Sequence, residues 1–79
     1  MKVYIVCEGI TESDRPDYKI PNACSPYRVY EHEIDACIRC EKQAIWSFGK
    51  ENLVCDTLWL YHHKDNPRHK VFIHVMYVE

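Results

Sequence analysis

The chain has 79 residues, 47% of them hydrophobic and 13% aromatic, and ten Lys and Arg against twelve Asp and Glu leave a formal net charge of −2. This is too apolar and too rich in rings for a disordered segment, and the length makes one domain, 1–79, with a modest core. The charge balance excludes both the basic excess that phosphate-backbone binding requires and the strong acidity of a nucleic-acid mimic.

Val3 to Cys7 is a β-branched and aromatic run. It predicts a buried strand with Val3, Ile5 and Cys7 on one face and Tyr4 and Val6 on the other. The apolar part of this opening is too short for a signal-peptide core, and no stretch approaches the ~20 apolar residues of a membrane span. A soluble, cytoplasmic protein with no membrane partner is therefore expected. Glu8 to Asn22 is polar, with Gly9, Pro16 and Pro21. It predicts a long loop with a short extended piece at Asp17 to Ile20, and long loops often carry binding function.

Ser25-Pro26 reads as a helix start, with Ser as cap and Pro at the first helical position. Tyr27, Tyr30, Ile34, Cys37, Ile38, Ile45 and Phe48 follow at steps that keep them on one helical face. The spacing predicts a helix from Pro26 to Phe48, ended by Gly49, with Glu41 as the discordant residue on its apolar side. Leu53 to Tyr61 predicts a third strand; alternatively, Asp56 caps a short helix from Thr57 to His63. Lys64 to Arg68 is a turn by composition. Val71 to Val78 predicts a central strand, apolar on both faces. The expected fold is α+β: an antiparallel sheet of about three strands with one main helix, in the order βαββ, the first strand paired with the last.

Five cysteines cannot pair completely within one chain, which points to free thiols or metal ligands. Cys37-x2-Cys40-x14-Cys55 admits two readings. In one, the C-x-x-C pair forms a metal knuckle, followed by a hairpin of Ala44 to Phe48, a turn at Gly49 to Asn52, and a return at Leu53 to Cys55. In the other, the same residues belong to the amphipathic helix and a strand. Cys37 is then a core residue, Cys40 lies toward the helix edge, Cys55 is in a core strand, and no metal is bound.

The stretch resembles small treble-clef or zinc-ribbon fingers of bacterial and phage proteins, which run C-x-R-C-G-K-x-A, a hairpin, then L-x-C-D-x-C-W. Cys37, Arg39, Cys40, Lys42, Ala44, Leu53, Cys55, Asp56 and Trp59 follow that order over about a third of the chain. The resemblance implies a structural zinc on Cys37, Cys40 and Cys55. Leu58 stands where the family has its fourth cysteine, and Glu41 where it has a glycine. His62 is the favoured replacement ligand, with His63, Cys24 and His32 as alternatives.

His62, His63, Asn66 and His69 are too compressed for an HNH nuclease motif, and Gly9 and Gly49 make no phosphate-cradling loop. No catalytic set emerges, so the chain is expected not to be an enzyme. Trp46, Trp59 and Tyr77 are expected in the core. Tyr18, Tyr27 and Tyr30 are expected at the surface, as contacts to a protein partner. The expected function is binding through protein–protein contacts. The finger resemblance implies a small phage accessory protein that inhibits or redirects a host factor, such as a defence protein, in the host cytoplasm. The alternative is a zinc-finger nucleic-acid binder, which requires Arg39, Lys42, Lys50, Lys64, Arg68 and Lys70 to form one patch.

Overall fold

The computed structural model describes residues 1–15, 17, 19 and 24–78. In chain order these form β1 (Lys2–Ile10), β2 (Ser25–Tyr30), α1 (Glu33–Phe48), a 3₁₀ turn (Lys50–Asn52), β3 (Leu53–Thr57), β4 (Leu60–His63) and β5 (Asn66–Tyr77). The strands make one antiparallel sheet in the order β2-β1-β5-β4-β3. The first and last strands lie side by side at its centre, from Lys2 opposite Tyr77 to Ile10 opposite His69. Both are β-branched runs that bury side chains on two faces, the pattern a central strand requires.

The sheet has five strands, which overturns the expected three-stranded βαββ arrangement. One extra strand comes from Ser25–Tyr30, expected to begin the helix. Tyr27, Val29 and Tyr30 favour extended backbone, and Pro26, which cannot donate to a ladder, is tolerated because β2 is an edge strand. Pro26 also lies beside a bulge in the β1–β2 pairing. The other extra strand arises because Leu53 to Tyr61 is a hairpin, turning at Leu58-Trp59. The extended piece expected at Asp17 to Ile20 falls largely outside the described residues.

α1 therefore starts at Glu33. It ends where Gly49, at φ 81°, donates its N–H to the Ile45 carbonyl at 2.8 Å. Its buried stripe is Ala36, Cys40, Gln43, Ala44 and Phe48. These mostly small side chains seat the helix closely on Tyr4, Val6, Tyr61, Val71 and Ile73. Of the large residues expected to face inward, Phe48 does, but Ile34 is 69% exposed and Ile38 51%. Cys40 is fully buried and Cys37 half-buried, the reverse of the expected order. Trp46 and Tyr77, expected in the core, are 80% and 75% exposed, while Trp59 packs edge-on against Tyr4.

On the far face, Cys7, Cys24, Leu60 and Phe72 form a second, smaller cluster with Ile5. Gly9 permits it, because a Cβ there would stand 2.7 Å from the Cys24 Cα. No helix among the described residues is long and apolar enough to cross a membrane.

Candidate functional site

The short link between β2 and α1 brings the edge strand and the helix together as antiparallel neighbours, with an open groove between them. One part, about 370 Å³, is lined by Tyr27 from β2 and by Arg39, Lys42, Gln43 and Trp46 from α1. The adjoining part, about 230 Å³, shares Arg39 and Lys42 and adds Arg28, Tyr30, Asp35 and Ile38. Ile38, Lys42 and Trp46 are successive i, i+4 positions, so they form one row along the groove. Ion pairs among the described residues occur at Arg15–Asp17, His62–Asp56 and His69–Glu8, and none involves Arg28, Arg39 or Lys42. Arg39 donates from its terminal amine to the Gln43 side-chain oxygen at 3.3 Å, while its buried Nε has no hydrogen-bond partner. A guanidinium half-fixed in this way is set up to take an acceptor from a ligand.

The residues expected to hold zinc are distributed differently. Cys37 and Cys40 lie on a continuous helix with Glu41, not on a knuckle turn. The Cys40 thiol is pushed up to about 12 by burial, reinforced by Cys37 and Cys55 nearby, and it points to the Val71 carbonyl at 3.8 Å. Cys55 is exposed and donates to the Thr57 carbonyl at 3.2 Å. β4 alternation sends Tyr61 toward α1 and His62 to the opposite face, where its Nδ1 meets Asp56 at 2.6 Å. Of the alternative ligands, Cys24 packs with Cys7 on the far face, His63 accepts from the Asp65 amide, and His32 precedes α1 at the surface without a side-chain cap. Among the described residues no three His, Cys, Asp or Glu side chains are arranged to hold a metal ion.

The thiolate is the reactive form of cysteine, and this burial pattern has a measurable consequence. Burial pushes Cys7 up to about 11 as well. Brief alkylation of the folded protein at neutral pH, read by peptide mass spectrometry, is expected to label Cys55 first. Cys7 and Cys40 should be labelled only after unfolding. Equal labelling of Cys40 and Cys55 would contradict the buried position of Cys40.

Two polar clusters fasten the sheet, and one of them ties α1 to it. Glu8 on β1 accepts from Gln43 Nε2 at 3.0 Å and Ser47 Oγ at 2.6 Å through one oxygen. Its other oxygen lies 2.8 Å from His69 Nε2. Burial alone would raise the Glu8 pKa, but the Ser47, Gln43 and His69 hydrogen bonds and the His69 charge outweigh it and hold it low. Ser47 and Gln43 donate to this carboxylate from α1, so the cluster clamps α1 to the sheet. On the far face the fully buried Lys70 donates to Thr11 Oγ1 and the Ser13 carbonyl, each at 2.6 Å. Burial lowers its pKa, countered by Asp14 and Asp56.

Of the expected binding residues, Tyr27 is exposed on the groove, Tyr30 is half-buried at its inner end, and Tyr18 lies outside the described residues. The six cations of the nucleic-acid reading do not share a surface. Lys70 is buried, Arg68 donates to the Thr11 carbonyl, and only Arg39 and Lys42 of the set line the groove. Arg28, Arg39, Lys42 and Trp46 were not singled out as one site from the sequence. The i, i+3, i+7 spacing of Arg39, Lys42 and Trp46 is the signal that joins the helical part of it. The chain matches no protein-family model, and comparisons with curated proteins and with solved structures give no match.

Proposed function

We propose that this chain is a non-enzymatic, cytoplasmic binding protein that holds a partner protein on its β2–α1 face. The observation that carries the reading is a concentration of large exposed apolar side chains on those two elements. Tyr27 lies on β2, and Ile34, Ile38 and Trp46 lie on α1. A domain this small gains no stability from leaving them in water, and exposed apolar patches of this kind mark interaction surfaces. Trp and Tyr, with Arg39 between them, are the residue types that dominate binding energy at interfaces.

The test is a photo-crosslinking amino acid placed at Trp46 in one variant and at Lys64, on the β4–β5 turn and outside the groove lining, in another. Irradiation in cells of the source organism is expected to give a discrete protein adduct at position 46 and none at position 64. Absence of any protein adduct at position 46, and equally at Ile38, would remove the reading.

A further inference from the structure

We infer that the groove takes an extended acidic segment of the partner, which joins β2 as a sixth strand and presents its carboxylates to Arg28, Arg39 and Lys42. The inference rests on the protein-binding reading and specifies the ligand. Its first support is the free edge. Among the described residues β2 pairs only with β1, so one row of its backbone N–H and C=O groups has no ladder partner. Pro26 and the bulge beside it blunt the start of the strand, which leaves Tyr27 to Tyr30 as the open part. Strand addition to such an edge, beside a helix that supplies side-chain pockets, is an established mode of peptide capture.

The second support is charge. The chain carries a net charge of −2, yet among the described residues Arg28, Arg39 and Lys42 converge on this groove without an ion-pair partner, and Asp35 is the acidic residue in its lining.

The third support is spacing. Ile38, Lys42 and Trp46 recur about 6 Å apart along the helix axis, and alternate residues of a strand recur about 6.6 Å apart. Side chains i, i+2 and i+4 of an added strand would therefore meet these three positions in turn. The motif that fits is an acidic residue two positions from a large apolar one, the first facing Lys42 and Arg39 and the second covering Trp46 and Tyr27.

A displayed library of random nine-residue peptides tests this directly. Selection on the wild-type protein is expected to enrich an acidic residue two positions from an aromatic or aliphatic one. In synthetic versions of the selected peptides, Glu→Gln should weaken binding about tenfold or more. N-methylation of alternate backbone amides should abolish it, and so should Trp46→Ala combined with Lys42→Glu, both exposed positions. No enriched pattern, or binding that survives N-methylation, overturns the added strand; a crosslink at Trp46 would still sustain the protein-binding reading. Trp46-dependent binding of a short oligothymidylate, without peptide enrichment or a protein crosslink, would overturn both in favour of a single-stranded nucleic acid.

Discussion

Replacing Phe72 by Ala is expected to remove a large share of the protein's stability. Phe72 is fully buried on the far face of the sheet, among Cys7, Cys24, Leu60 and Ile5. Among the described residues it is the one aromatic ring of that cluster. Truncating such a ring costs about 3–5 kcal/mol. A domain of this length is stable by about 4–12 kcal/mol in total. The measurement is urea unfolding followed by circular dichroism. Tyr77→Ala on the same strand, at a 75% exposed position, serves as the control and should change stability by less than about 0.5 kcal/mol. A Phe72→Ala protein with the wild-type midpoint would show that the far-face cluster does not support the sheet.

The next largest effect is expected at Glu8. Glu8→Leu removes the acceptor shared by Gln43, Ser47 and His69, and leaves the buried Gln43 amide and the Ser47 hydroxyl without it. Each buried polar group left unpaired costs about 1–3 kcal/mol. The loss should also loosen α1 from β1 and so widen the groove. Glu8→Gln separates charge from shape. The folded protein holds the Glu8 pKa below its ordinary value, so the carboxylate adds stability at pH values above that ordinary value. That stability is lost as pH falls through the lowered, folded-state value. In denaturant titrations through the acid range, the advantage of wild type over Glu8→Gln should shrink steadily as Glu8 protonates. An advantage that stays constant as pH falls would mean that Glu8 is not ionised in the clamp.

Phe72 lies on a strand that is plain in the amino-acid pattern, whereas Glu8, expected to begin the long loop, extends β1 beyond Cys7. Val3 to Cys7 and Val71 to Val78 are β-branched runs flanked by polar segments, and apolar density of that kind forms central strands whatever surrounds it. The Gly49 stop is equally local, since a residue at φ 81° ending a helix favours glycine. Glu8 and Phe72 as partners of a clamp and a core are a different matter. Gln43 and Ser47 reach Glu8 across 35 and 39 residues of sequence, and no local pattern announces that meeting.

The sequence by itself determined the two central strands, the existence of one main helix and its end. These depend on short-range periodicity and backbone preference. Tertiary structure decided the rest. Ser25-Pro26-Tyr27 suits either a helix start or an edge strand, and pairing with β1 selected the strand. α1 carries two rival stripes, one of large residues at Ile34, Ile38 and Trp46 and one of small residues at Ala36, Cys40 and Ala44. Periodicity favours the large stripe for the core, but close packing of the helix on a sheet already filled by Tyr4, Tyr61 and Ile73 favours the small one. Turning the small stripe inward is what leaves Ile38, Lys42 and Trp46 in a row beside a free strand edge, and that arrangement makes the groove.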